Sequence, residues 1–159
     1  MPDMLVKLYN LPEKQKLLNK LQTQGIRIKR AMTADKHSIV EFVGTHFSEN
    51  WRNECECAFS QLPVNCYIAV KDKQVIGFAC HDVVVKNFFG PTGVLQEYRG
   101  LGIGKALLLE CLYTMHEDGY GYCIIGWVEE ALPFYEKTVG AIVIADSFPG
   151  AFQDMIGLE

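Results

Sequence analysis

Three glycines at alternate positions, Gly100, Gly102 and Gly104, stand between Arg99 and Lys105. Residues of these types at this spacing suit the holding of a phosphate. Glycine has no Cβ, so its backbone can come close to an anion. Val94 and Leu95 before the loop read as the end of a short strand. After it, Leu107, Leu108, Cys111, Leu112 and Met115 recur at helical spacing, with Glu110, Thr114 and Glu117 on the opposite face. A helix that starts at such a loop offers unpaired N–H groups and the positive end of its dipole. Two familiar phosphate loops do not fit. A nucleoside-triphosphate loop needs Ser or Thr after Gly-Lys and a glycine five residues before Gly104, where this chain has Ala106 and Arg99. A dinucleotide loop needs its third glycine one residue later. On spacing alone, a glycine turn capping a core helix stays open as a reading.

The second stretch with chemical potential is Ala131-Leu132-Pro133-Phe134-Tyr135-Glu136-Lys137. Ala131, Leu132, Tyr135 and Val139 share one helical face. A phenol there is either a core tyrosine with a satisfied hydroxyl or an acid. Candidate bases are His81 and Asp82, which point to opposite faces of one strand, and Glu129, which follows a buried apolar run. Cys55-x-Cys57 has a metal-like spacing, but no second pair follows and His46 is isolated, so no metal is expected.

Arg99-x-x-Gly102-x-Gly104 resembles the acyl-CoA pyrophosphate loop of the GNAT superfamily of N-acetyltransferases, whose signature is Gln/Arg-x-x-Gly-x-Gly/Ala. The run Glu97–Leu108 is similar to that family almost residue for residue. The Ala131–Lys137 stretch resembles its Ala-x-x-Phe-Tyr-Glu-Lys segment. The resemblance covers about Ile26 to Ala145. It implies acetyl-CoA as co-substrate and direct acetyl transfer to a primary amine, that of a small molecule. It implies that Val94, Leu95 and Gln96 border the pantetheine, and that Arg99, Gly100, Leu101, Gly102, Ile103, Gly104 and Lys105 hold the pyrophosphate. Tyr135 would be the general acid that protonates the leaving thiolate, and the backbone N–H of Leu95 the oxyanion donor. Two departures matter. The short strand holds no carboxylate, which leaves the base open among His81, Asp82, Glu129 and water. Val128 stands where the family often has an asparagine, seven residues before the tyrosine. The rivals are a non-catalytic acyl-CoA sensor, a transferase acting on a protein or peptide amine, and a nucleotide-binding domain.

The elements that must position these residues follow from pattern. Met4–Tyr9 reads as a strand, and Pro12 opens a helical run with Leu17, Leu18 and Leu21 that Gly25 stops. Residues 1–25 are thus expected as an N-terminal extension packed on the domain, covering a sheet edge or lying at a homodimer contact. Residues 26–159 are expected to form one domain. Ile26–Ala31 alternates as a strand. Helices follow, capped by Thr33 and then spanning Asn50 to Phe59. Cys66–Val70 and Gln74 to about Val85 form a hairpin, Lys86–Gly90 a loop, and Thr92–Leu95 a short strand. Tyr122–Val128 reads as a strand buried on both faces, Glu129–Val139 as a helix, and Ala141–Ile144 and Gly150–Ile156 as final strands. The fold class is α+β: a GNAT-like mixed, largely antiparallel central sheet flanked by helices, with an extra N-terminal strand and helix.

At 159 residues the chain is long enough for one domain with a real core. Its net charge of −4 provides no basic stripe, so a nucleic-acid partner is not expected. The start MPDMLVKLYN lacks a basic segment followed by an apolar run, and no stretch reaches a membrane span. A cytoplasmic location without a membrane partner is therefore expected, with the six cysteines reduced and mostly in the core.

Overall fold

The computed structural model describes residues 1–158. Seven strands, β1 (Met4–Lys7), β2 (Arg27–Arg30), β3 (Cys66–Lys71), β4 (Gln74–His81), β5 (Phe88–Val94), β6 (Tyr122–Ile125) and β7 (Ile142–Val143), form one sheet in the order β2-β3-β4-β5-β6-β1-β7. Every neighbouring pair is antiparallel except β5 and β6. Five helices cover it: α1 (Gln15–Thr23), α2 (Lys36–His46), α3 (Glu49–Cys57), α4 (Ile103–Glu117) and α5 (Leu132–Val139).

Two apolar layers follow from the alternation of strand side chains. On one face Ile39, Val40 and Val43 of α2 and Cys55 of α3 meet Ile68, Phe78 and Cys80. On the other, α4 buries Leu107, Leu108, Cys111, Leu112 and Met115 against the sheet, with Leu21 of α1 and Tyr135 of α5 beside them. Leu107, Leu108, Leu109 and Leu112 are each no more than 1% exposed. At roughly 1.5–3 kcal/mol for each buried leucine, α4 is the main anchor of the molecule.

Local chemistry sets the ends of the elements. The hairpin β3–β4 turns on Asp72 and Lys73, both with positive φ, as a two-residue turn of the primed type requires. Ser48 caps α3 by accepting from the Trp51 N–H at 3.1 Å. Pro133 lies in the first turn of α5, and Gly140 ends it in the left-handed region.

The structure moves several boundaries. β4 stops at His81 rather than near Val85, because Asp82 enters a tight turn at φ 57° and its Oδ1 accepts the Asn87 N–H at 2.6 Å. β5 therefore begins at Phe88, inside the expected loop. β6 ends at Ile125 rather than Val128, since the Asp3 carboxylate takes the Trp127 N–H at 3.0 Å and Trp127 has φ 50°. α2 starts at Lys36 after a 3-10 turn at Thr33–Asp35, and the Thr33 side chain does not cap it. Residues 150–156 form no strand: Gly150–Phe152 is a 3-10 turn, and Trp127 Nε1 donates to the Pro149 carbonyl at 3.2 Å to hold it.

The largest change concerns residues 1–25. They do not sit on the domain as an extension. β1 lies inside the sheet, paired with β6 over Met4–Lys7 and with β7 over Met4–Leu5. Met4, Val6 and Leu8 are fully buried. α1 then packs against α4, and just before α1 Lys14 bonds to Glu110 and the Pro12 carbonyl accepts from the Tyr113 hydroxyl at 2.8 Å, both partners lying in the middle of α4.

Candidate active site

The site arises where β5 leaves β6. The two strands pair only at Phe88↔Ile124 and Phe89↔Ile125. Against β4, β5 skips a register step between Phe89 and Thr92, at Gly90-Pro91. A bulge of this kind bends a strand away from its neighbour. Beyond it β5 stays on β4 as far as Val94 but leaves its other edge open. The gap becomes a cavity of about 1410 Å³. That exceeds the roughly 300–1,000 Å³ typical of a pocket for a single drug-sized ligand. It is long enough to be lined by α3 at one end and by Gly102–Lys105 at the other.

At the second end the chain prepares an anion site. Gly102 precedes α4 in the left-handed region at φ 92°, and a Cβ there would come within 2.8 Å of Leu17 of α1. The backbone angle is what calls for glycine; the Leu17 tip would also have to move aside for a Cβ. The backbone N–H groups of residues 100–105 donate to no acceptor among the described residues; the first N–H bonded at the start of the helix is that of Ala106, to the Gly102 carbonyl at 3.0 Å. These unpaired donors and the helix dipole favour a phosphate, and the flanking Arg99 and Lys105 line the same space. Arg99 Nε reaches the Val94 carbonyl at 3.4 Å, which leaves the rest of its guanidinium toward solvent.

Of the residues expected to hold the co-substrate, Val94, Arg99, Gly100, Gly102, Ile103, Gly104 and Lys105 line the cavity; Leu95, Gln96 and Leu101 do not. The expected oxyanion donor needs correction. The Leu95 N–H is committed to the Ile76 carbonyl of β4 at 2.9 Å. Because N–H groups alternate in direction along a strand, the Val94 N–H is the one aimed at the open edge.

Tyr135, on α5, is 7% exposed and lines the cavity. Its ring meets Phe89 edge-on, with centroids 6.4 Å apart and planes at 73°. Its hydroxyl makes no hydrogen bond among the described residues. Burial pushes the phenol upward, with the Cys123 thiol adding to the effect, so it stays protonated as a proton donor must.

The three candidate bases separate. His81 is fully buried away from the cavity, beside Tyr67, and neither ring nitrogen has a partner. Burial, and then the Arg30 charge, brings it down to about 4. Asp82 is tied to the turn at Asn87 and is absent from the lining. Glu129 does line the cavity, with Glu130, as an exposed carboxylate at the rim. A residue missed by sequence reasoning is Glu54 of α3, half-buried in the wall and pushed up to about 6 by burial. The available signal was the lack of any basic residue three or four places away, whereas Glu49 and Glu56 both have Arg52 at such a distance.

Cys55 and Cys57 point apart. Cys57 lines the cavity, while Cys55 joins Cys66 and Cys80 in the core, their sulfurs within 4.8 Å of one another. Burial, then neighbouring thiols, holds Cys80 well up and protonated. Cys55 is pulled down to about 5 by hydrogen bonds from the Cys66 and then the Cys80 thiols, so the three sulfurs form one interacting buried cluster.

Fold and cavity together define a layered α+β domain with unpaired N–H groups at a helix start beside a splayed sheet. Residues 63–138, a little under half of the chain, match the model of the acetyltransferase (GNAT) domain family. Among solved structures, the chain is similar to the GCN5-related glucosamine N-acetyltransferase region of a fungal multi-domain β-N-acetylglucosaminidase, with TM-score 0.71 at 18% identity. That match covers 90% of this chain and 19% of the other. A GCN5-related N-acetyltransferase from Sphaerobacter thermophilus gives TM-score 0.65 at 19% identity, covering 90% and 48%. An aminoglycoside acetyltransferase from an uncultured soil metagenomic sample gives 0.52 at 18% identity, covering 72% and 88%. The chain thus spans about a fifth and about half of the first two. No curated protein matches it in sequence. The fold is like that of these GCN5-related N-acetyltransferase structures, and the family-model match includes the Arg99–Gly104 loop. Among the described residues no helix is long and apolar enough to cross a membrane.

Proposed function

We propose that the protein is an acyl-CoA-dependent N-acetyltransferase that moves the acetyl group of acetyl-CoA directly to a primary amine of a small molecule. The observation that carries this reading is the continuity of one cavity: it joins the unpaired N–H groups before α4, the open edge of β5 and the Tyr135 hydroxyl. The pyrophosphate sits at Gly100–Lys105. The pantetheine arm follows the free edge of β5 between Gly90 and Val94. The Val94 N–H then receives the thioester oxygen as charge develops on it. Tyr135 gives its proton to the sulfur as the C–S bond breaks. The acceptor enters from the end walled by α3, so both reactants are held together and no covalent enzyme intermediate is needed.

The test is release of free CoA from acetyl-CoA against a panel of polyamines, amino sugars, aminoglycosides, amino acids and short peptides. Amine-dependent release is the expected outcome; tight acetyl-CoA binding without release for any amine overturns the transferase reading. Tyr135→Phe should lower kcat by about 10²-fold, within the usual range for a lost proton donor, while the acetyl-CoA Kd stays within twofold by calorimetry.

A further inference from the structure

We propose that Glu54 is the catalytic base of this reaction, the group that takes the proton from the incoming ammonium. The inference rests on the transferase reading above and assigns a step that the recognised motifs leave without a residue.

The geometry carries it. α3 divides its side chains between two surroundings. Cys55 faces the core, whereas Asn50, Trp51, Glu54 and Cys57 face the cavity. The other two carboxylates of α3 are engaged: Glu49 accepts from Arg52 Nε at 3.1 Å, and Glu56 faces Lys36 Nζ at 3.3 Å. Arg52, the only cation on the helix, is also bonded to Glu41 of α2. Glu54 makes no ion pair and no hydrogen bond among the described residues. The walls nearest α3, from Val83–Val85 and from β5, carry no charge. The remaining charged groups of the cavity are Arg99 and Lys105 at the far end, Glu129, Glu130 and Asp154 at the exposed rim, and the Met1 amine. Glu54 comes from the α2–α3 layer and Tyr135 from the α4–α5 layer, so base and acid line opposite walls with the β5 edge between them.

The step balances. A primary ammonium transfers one proton to the Glu54 carboxylate and becomes an amine. Its lone pair forms the C–N bond at the thioester carbon. The tetrahedral adduct expels the C–S electron pair on sulfur, which takes the Tyr135 proton. The second nitrogen proton returns to the Tyr135 oxygen, and Glu54 passes its own to solvent. A carboxylic acid that titrates at about 6 is a stronger base than one in water, which shortens the gap to an alkylammonium.

The experiment compares Glu54→Gln with the wild type on two acceptors, an alkyldiamine that is cationic at pH 7 and an aniline that is neutral there. Expected is a loss of about 10²–10⁴ in kcat/KM with the diamine, and of less than tenfold with the neutral amine, which needs no deprotonation before attack. With the diamine, the wild-type profile of kcat/KM should rise to an inflection near pH 6, and this limb should vanish in Glu54→Gln. Glu54→Asp should restore part of the rate. An equal loss on both acceptors, or a limb near pH 6 that survives the substitution, overturns the assignment. Absence of acetyl transfer by the wild type to any amine overturns instead the reading on which it rests.

Discussion

At the scale of single residues, charge and burial sort four groups that look alike in the chain. Glu54 and Glu129 are both carboxylates in the wall, but only Glu54 is withdrawn from water. His81 and Asp82 are neighbours in sequence, yet one is locked in the core and the other in a turn. His81 has a measurable consequence. Its folded-state value is lowered to about 4 by burial, below the ordinary 6.5 of an unfolded chain. Below pH 6.5 the unfolded state takes up a proton that the folded state refuses. Its contribution to stability is therefore complete above pH 6.5 and is lost as pH falls toward 4, by about 3 kcal/mol. His81→Phe removes this dependence and relieves two unsatisfied nitrogens. Urea titrations at pH 7.5 and 4.5 should show the variant gaining on the wild type at the lower pH; a constant difference would refute it.

At the scale of elements, the loop before α4 and the bulge in β5 divide the work. The bulge at Gly90-Pro91 opens the edge proposed here for the pantetheine, and the loop turns unpaired N–H groups into the same cavity. α1 supports that loop from behind, through Leu17 against Gly102. The two glycines of the signature are therefore not equivalent. A Cβ on Gly104 meets only Val94 at 3.9 Å, and Gly104 lies in the first turn of α4 at an ordinary helical φ. Gly104→Ala should raise stability by about 0.5 kcal/mol and preserve acetyl-CoA binding. Gly104→Val should keep the fold while binding weakens at least tenfold, because its branches fill the anion's approach. Gly102→Ala, at φ 92° and 2.8 Å from Leu17, should destabilise the protein by about 1–3 kcal/mol. Thermal melts and calorimetry of the three variants separate these outcomes. If Gly104→Val bound acetyl-CoA normally, the loop would not be the phosphate cradle.

At the scale of the whole molecule, the first residues of the chain hold together its last strands. β1 is the common neighbour of β6 and β7, and the Asp3 carboxylate fixes Trp127 at the rim of the cavity. Removing residues 1–8 would delete the buried side chains of Met4, Val6 and Leu8 and leave both adjoining strand edges unpaired. At about 2–5 kcal/mol for each such large side chain, the loss approaches or exceeds the about 5–15 kcal/mol that hold a domain of this size. The truncated chain should show no cooperative thermal transition by circular dichroism. A cooperative melt within a few degrees of the full chain would mean that the strand is dispensable.

The glycine loop, the helix behind it and the tyrosine of α5 are legible in the sequence because they are local. Glycine spacing, helical periodicity and a family motif all lie within a few dozen residues, and hydrogen bonds between near neighbours fix their geometry. β1 was visible as a strand, but its place inside the sheet was not, since pairing with residues more than a hundred positions away leaves no mark on the four residues of Met4–Lys7. Leu95 is the donor the sequence leads one to expect, and only pairing with β4 shows that its N–H is already engaged while that of Val94 is turned to the open edge. Glu54 carried only the negative signal of a missing partner. Its withdrawal from water depends on the layers that close around α3, and burial is a property that only the folded chain possesses.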